Sequence, residues 1–388
     1  MEQHLPDAIA TDLTMDFARA TGLSPATSPS RRYLWTDAFG VCNFLGFYEK
    51  TGDATFKELA IRLVEQVHQV LGRFRDDDNR RGWLSGLDER EGAIHPTLGG
   101  LRIGKRLKER RPGEPFDERS EWDRDGQYFH YLTKWMHALD RVTRVTGEFT
   151  YNRWAIELAR TSHARFVYAP SADRQKRMYW KMSTDLSYPL VQSMGLHDPL
   201  DGLITYTRLA ATAAGDPEGS ADLGEEIADM AGMCKGRSWV TDDPLGIGGL
   251  LSDTLSVARL MTAGYFSQSG LLVILLEAAL LGLKAFDLDR MNLPANDRLA
   301  FRELGLSIGL RAFQGLSDLI GRNKPLFPEE YDLDDRIRAL RPYERLAETI
   351  EAFWLQPEHR QGDLWMTDRH INMVMLATSI SPAGYLTL

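Results

Sequence analysis

Apolar residues recur at helical spacing along nearly the whole chain, and period-two alternation is scarce. The clearest unit runs from Trp35 to Phe74. Its first half, Asp37 to Lys50, is apolar nearly all round through Phe39, Val41, Cys42, Phe44, Leu45 and Phe47. A helix of that kind is buried on most faces. Thr51-Gly52-Asp53 follows, with Gly52 suited to a left-handed helix end and Asp53 to a new N-cap. The second half is amphipathic: Phe56, Leu59, Ala60, Leu63, Val64 and Val67 oppose Lys57, Glu58, Arg62, Glu65 and Gln69. An inner helix is thus followed by an outer one.

The unit recurs. Gly126 to Thr146 reads as a second inner helix, Thr146-Gly147-Glu148 as the same turn, and Tyr151 to Phe166 as its outer partner. Further inner helices are predicted at 185–196, 246–264, 297–320 and 368–380, with outer helices at 200–214, 270–286 and 333–353. A helix near 220–234 is an extra. The N-terminal segment 7–21 supplies the outer helix missing after the last inner one. Six inner and six outer helices predict an all-α (α/α)6 toroid, a six-hairpin barrel closed by its N-terminal helix and forming a single domain over residues 1–388. An open solenoid of helix pairs is the alternative. Irregular unit lengths and the unpaired last helix argue against it.

In such a ring the inner N-termini gather at one end. Five inner helices are entered through a tryptophan two to five residues before an aspartate: Trp35 and Asp37, Trp122 and Asp125, Trp180 and Asp185, Trp239 and Asp242, Trp365 and Asp368. Aspartate there can be no more than an N-cap, and tryptophan no more than packing. Together they would ring a cleft with indoles, which stack on sugar rings, and with carboxylates, which bond hydroxyls or serve as acid and base in glycoside cleavage. The long connection from Arg75 to Glu121 enters at the same end and reads as a lid anchored by Trp83, Leu84, Ile94 and Leu98, with KRLKERRPGEPFDER as solvated surface. His130, His197 and His370 lie near inner-helix ends and His95 in the lid. Arg31, Arg32, Arg124, Lys181, Arg237 and Arg369 crowd the entries, either as ion-pair partners of the aspartates or as recognition of an anionic substituent.

Composition narrows the chemistry. The 388 residues carry a net charge of −9 with no basic stripe, which argues against nucleic acid. The apolar run from Gly270 is too short for a membrane span and carries Glu277 and Lys284. It predicts a buried helix, covered by the extra helix or by a second subunit, which leaves a homodimer open. Two cysteines, Cys42 and Cys234, offer neither a disulfide framework nor a zinc cluster, and the HExxH pattern is absent. No metal or cofactor is expected. The N-terminus shows no signal-peptide pattern, so the expectation is cytoplasmic.

The stretch WTDAFGVCNFLGFYEKTGDATFKELA resembles the hairpin of unsaturated uronyl hydrolases, and STDLSYPLVQSMGL resembles their next inner-helix start. Those hydrolases belong to the six-hairpin glycosidase superfamily, which also holds the N-acylglucosamine and cellobiose 2-epimerases. The resemblance implies a carbohydrate-active enzyme, hydrolase-like, with Asp185 and Asp125 as acid and base. Trp35, Asp37, Trp122, Trp180, Lys181, Arg237, Trp239, Asp242, Asp368 and His95 would bind a saccharide, anionic in one reading. The alternatives are sugar 2-epimerisation or isomerisation through His130 and His370, and glycan binding without turnover.

Overall fold

The computed structural model describes residues 4–27, 30–171, 175–219, 222–267, 269–327 and 333–387. Two compact units emerge, Ala18–Gly236 and a second made of Met1–Phe17 with Arg237–Leu388. The first helix, α1 (His4–Ala20), belongs to the second unit as far as Phe17.

The Ala18–Gly236 unit holds three helical hairpins. In the first, α2 (Leu34–Thr51) turns into α3 (Ala54–Leu71) as predicted. Gly52 adopts φ 73° at the turn, and the Asp53 carboxylate accepts a hydrogen bond from the Thr55 amide at 2.9 Å. That left-handed φ costs glycine nothing and a β-carbon roughly 1–2 kcal/mol. The connection 75–121 contains two short helices, α4 (Glu89–Ile94) and α5 (Glu118–Asp123). Strand β1 (Gln127–Tyr128) then leads into α6 (Phe129–Thr146), which pairs with α7 (Thr150–Phe166). Short strands follow: β2 (Val167–Tyr168) pairs with β3 (Arg177–Met178), and β4 (Lys181–Met182) lies between β1 and β5 (Pro189–Val191). The third hairpin is α8 (Asp198–Ala213) with α9 (Gly224–Cys234).

That third hairpin corrects the sequence reading. The inner helix expected at 185–196 is a β-hairpin turn, because Pro189 removes a helical donor and the short apolar run suits strands equally well. The segment 200–214, expected outside, is the buried helix of its pair, with Leu200, Leu203, Tyr206 and Leu209 enclosed and α8 packed on α6. The helix near 220–234 is its partner, not an extra.

The second unit follows the same logic. Helix α10 (Pro244–Thr262) packs on α11 (Ser269–Ala285) and on α12 (Ala300–Arg322). Gly248 lets α10 and α12 touch backbone to backbone, since a β-carbon there would strike the Gly305 carbonyl. The outer partner of α12 is broken into α13 (Leu333–Leu340) and α14 (Glu344–Leu355), split at Arg341-Pro342-Tyr343. After α15 (Asp363–Thr367), α16 (Arg369–Ile380) is the last long helix, and α17 (Ala383–Leu386) ends the chain's described part. Phe17 of α1 meets the His370 ring of α16 edge-on at 6.5 Å. Among the described residues no helix is long and apolar enough to cross a membrane.

Candidate functional site

Backbone pairing of β1 with β4 sets Tyr128 opposite Lys181 and so brings Trp180 to the first turn of α6. His130 stands in that turn, ringed by aromatic side chains of the same unit. Its ring lies 4.9 Å from Tyr131 at 86°, 5.3 Å from Tyr128, 6.2 Å from Trp35, and 6.3 Å from Trp180 at only 16°. Trp122, on α5, adds its indole 6.3 Å from Trp180 and is itself 47% exposed. The Tyr33 and Tyr131 hydroxyls meet at 2.7 Å. Lys105, from the long connection, holds its ammonium 5.5 Å over Tyr33 and 5.3 Å over Trp122. Three of the predicted tryptophans therefore converge on one of the predicted histidines.

The polar surroundings of His130 come from α6 and α8. Its Nδ1 is 3.7 Å from the Asp198 carboxylate, an electrostatic contact too long for a hydrogen bond. Asp201, one turn on, pairs with Lys134 at 3.2 Å. Burial pushes the imidazole pKa down to about 4, against the pull of Asp201 and helped by Lys134. The ring is consequently neutral at pH 7, while its side chain keeps 24% of its surface open.

The predicted carboxylates have other partners. Asp125 does not cap α6, whose N-cap is Tyr128. It is fully buried and accepts bonds from Arg102 at 2.7 Å and from the amides of Gly104 at 2.9 Å and Gly126 at 3.1 Å, with Arg75 3.7 Å away. Asp185 opens no helix. It sits in the turn between β4 and β5, where Arg80 binds it at 2.8 Å and the hydroxyls of Ser183 and Ser187 at 2.9 and 2.6 Å. Partial burial raises its pKa, but those hydroxyls, the Ser187 amide and Arg80 outweigh burial and hold it below the usual carboxylate value. Asp37 lies inside α2, buried against Arg32 at 3.3 Å; desolvation lifts its pKa to about 6 despite that guanidinium and the Tyr33 amide.

Other candidates fall elsewhere. Lys181 is buried on Glu121 and on the Arg124 carbonyl, so it is unavailable to a ligand. His95 ends α4 and pairs with Glu157. In the second unit, Trp239 is buried beneath Arg237, whose guanidinium lies 6.0 Å from its ring. Asp242 is exposed, and its neighbour Asp243 caps α10 instead. Asp368 occupies the N-cap position of α16 without a side-chain capping bond, and His370 packs on Phe17.

In the connection 75–121, Trp83 and Leu84 are buried anchors, whereas Ile94 and Leu98 are exposed, contrary to expectation. The charged run is not wholly solvated either: Arg110 reaches Glu121 at 2.9 Å and the Leu190 carbonyl at 2.6 Å. Sequence reasoning missed Tyr33, Tyr128, Tyr131, Lys105, Asp198 and Asp201. The aromatic flanks of His130 in Tyr128-Phe129-His130-Tyr131 were the available signal. Among the described residues no cluster of three or more His, Cys, Asp or Glu side chains is placed to hold a metal ion.

No protein-family model matches the sequence, and no curated protein does. Solved structures do match. A sugar epimerase from a ruminal bacterium superposes with a TM-score of 0.52, covering 98% of each chain at 10% identity. The cellobiose 2-epimerase of Spirochaeta thermophila matches with a TM-score of 0.47 over 90% of this chain and 86% of that one, at 13% identity. An unsaturated glucuronyl hydrolase specific for heparin matches with a TM-score of 0.31 over 70% and 83%, at 12% identity. The fold is the all-α (α/α)6 toroid.

Proposed function

We propose that the chain binds a saccharide on the aromatic surface around His130, and that His130 moves the proton in an aldose–ketose isomerisation or a 2-epimerisation. The carrying observation is a neutral imidazole, partly open, enclosed by Trp35, Tyr128, Tyr131 and Trp180. Indole and phenol faces cover the C–H faces of a sugar ring, and a neutral imidazole has a lone pair for the proton on the carbon beside the open-chain carbonyl. Taking that proton leaves an enediolate. Returning it to C1, with the O2 proton passing to O1, gives the ketose, and protonation of C2 from the other face by a second donor gives the epimer. Asp198 and Asp201 stabilise the imidazolium formed in between, as a carboxylate beside a catalytic histidine does. One base suffices for the shift on a single face. Inversion needs a second donor on the opposite face of C2. The Lys105 ammonium, 5.3 Å over the Trp122 ring, adds positive charge at the edge of this surface. In this reading the chain acts as one domain with 75–121 as its lid, and the sugar epimerase that shares the fold shows chemistry the scaffold can carry.

Hydrolysis by paired carboxylates is the second reading, favoured by one observation: Asp185 stays ionised and 28% open. Asp125 supports it less, since a fully buried carboxylate already holding a guanidinium and two amides has no room for a glycosidic oxygen.

The test incubates the purified protein with neutral, amino and uronic sugars in D2O and follows deuterium at C2 by mass spectrometry. His130→Ala should abolish exchange while quenching of tryptophan fluorescence by the sugar persists. Exchange that survives His130→Ala, or cleavage products lost in Asp185→Asn, would overturn the assignment. Binding without exchange in the wild type would leave a glycan-binding protein.

A further inference from the structure

Asp37 lies in the first turn of α2 and caps that helix from within. Tyr33, the N-cap residue, makes no side-chain capping bond of its own. The Asp37 carboxylate instead reaches back and accepts the Tyr33 amide at 3.0 Å, the reverse bond of a capping box made from one residue further along. Its other oxygen takes Nη1 of Arg32 at 3.3 Å, and Nη2 of the same guanidinium donates to the Thr21 carbonyl at 2.8 Å. Both side chains are closed to solvent, Arg32 at 0% and Asp37 at 1% exposure. Among the described residues Arg32 is the charged group that bears on Asp37, and Asp37 is the carboxylate paired with Arg32. A carboxylate so enclosed has no surface for a sugar hydroxyl.

What this cap holds is one edge of the aromatic surface. The Tyr33 hydroxyl meets that of Tyr131 at 2.7 Å, and the Trp35 ring lies 5.2 Å from Tyr131 and 6.2 Å from His130. We infer that Asp37 is a positioning residue whose ionised carboxylate fixes the entry to α2, and through it the places of Tyr33 and Trp35 beside His130. Protonating Asp37 leaves a fully buried guanidinium with the Thr21 carbonyl as its remaining strong partner, and the entry loosens as Arg32 moves toward water. Burial sets that change at about pH 6, whereas burial keeps His130 neutral down to about pH 4. This role rests on the reaction proposed for His130 and adds an acid switch to it, seated on Asp37 and not on the base. The switch is not an unfolding event, because proton uptake by Asp37 favours the fold over the same range.

The test follows deuterium exchange at C2 of the saccharide between pH 8 and 4.5, with kcat and KM at each pH. In the wild type kcat/KM should fall about tenfold through pH 6, mainly in KM, as displaced binding groups require. Asp37→Asn has the shape of the protonated acid. At pH 8 it should match the wild type at pH 5, and it should show no step near pH 6. Selective 15N labelling of tyrosine gives a readout without substrate. The Tyr33 amide, assigned by its loss in Tyr33→Phe, should titrate near pH 6, and Arg32→Met should move that midpoint upward, since the guanidinium opposes protonation. Where Asp37→Asn fails to fold, the wild-type profile and the Tyr33 titration decide. An acid limb at pH 4 alone, a step near pH 6 that survives Asp37→Asn, or a Tyr33 amide that does not titrate would each overturn the inference. Absence of exchange at every pH would sink the His130 reaction instead. Saccharide affinity then replaces turnover, and equal affinity at pH 8 and pH 5 would overturn the role of Asp37.

Discussion

Lys181 and Glu121 form an ion pair 2.9 Å long with both side chains buried. The same ammonium donates to the carbonyls of Glu121 and Arg124 at 2.8 Å. Three bonds thus clamp the segment carrying Trp122 to the strand that follows Trp180. The ammonium also lies 5.2 Å over the Tyr128 ring, and burial lowers its pKa against the support of Glu121. What the sequence presents as a substrate-facing lysine is instead the strut beneath the aromatic surface.

Removing one partner of such a pair leaves a charge without compensation, at about 3–5 kcal/mol. Arg110 also holds Glu121, at 2.9 Å, so the lower end applies. Lys181→Met should destabilise the protein by about 3 kcal/mol in urea unfolding. Lys181→Met with Glu121→Gln should cost less than the sum of the single changes, because the double change removes both charges.

His68 supplies a stability prediction away from the candidate site. It is buried, and its Nε2 accepts the Trp135 indole N–H at 3.2 Å, which fixes the neutral form. Burial drives its pKa from 6.5 down to about 3. Below pH 6.5 the unfolded chain takes up a proton that the folded chain refuses, so stability is full above 6.5 and falls toward pH 3. Asp37 works the other way: its folded pKa of about 6 lies above the unfolded 3.8, so acidification from pH 6 to 4 favours the fold. His68→Gln keeps an acceptor for Trp135 and removes the titration. Between pH 6.5 and 4 the wild type should lose about 2–3 kcal/mol more than this variant, measured by urea unfolding at each pH.

Part of this architecture is legible without coordinates. The Gly52 turn and the Asp53 cap follow from backbone geometry that few residues tolerate, and the apolar stripe of α3 has one helical solution. The 185–196 segment fails because a short apolar run does not distinguish strand from helix, and the error displaces the inside and outside of the next pair. Helix α8 carries Asp198, Asp201 and Arg208, polar groups that fit an outer helix as well as an inner one. Those groups are buried toward His130, Lys134 and Asp140, inside the unit. Pairing between distant segments decides this, and no local pattern records it. For the same reason the Trp-then-Asp signature does not reveal the burial of Asp125, whose partner Arg102 lies 23 residues upstream.

Arg80 joins the two arms of the long connection to the turn after β4. Its guanidinium binds Asp78 at 2.9 Å, Asp185 at 2.8 Å and Glu109, and Glu109 in turn accepts the Thr184 amide. The side chain is 35% exposed, so solvent screens these pairs and their value lies in ordering the loop more than in global stability. Arg80→Ala should speed hydrogen exchange at the Thr184 and Ser187 amides about tenfold. Arg102→Ala, which strips a bond from buried Asp125, should instead lower the global unfolding free energy by about 3 kcal/mol. Equal exchange rates in wild type and Arg80→Ala would show that the loop needs no such tie.

Trp122 and Trp239 were indistinguishable as sequence signals, and their settings now predict opposite behaviour. Trp122 is 47% exposed beside Trp180, while Trp239 is buried in the other unit. Truncating the first removes surface that water already reached, so Trp122→Ala should change stability by less than about 0.5 kcal/mol. It also removes an exposed indole face from the proposed saccharide surface, where a single aromatic anchor commonly carries more than 1 kcal/mol. Affinity for the bound sugar, by calorimetry, should therefore fall roughly tenfold, with Trp122→Phe intermediate because a smaller ring still stacks. Trp239→Ala opens a cavity in a packed interior and should cost about 3–5 kcal/mol of stability while leaving affinity unchanged in the fraction that remains folded. Loss of affinity in Trp239→Ala with none in Trp122→Ala would place saccharide binding outside the His130 cluster.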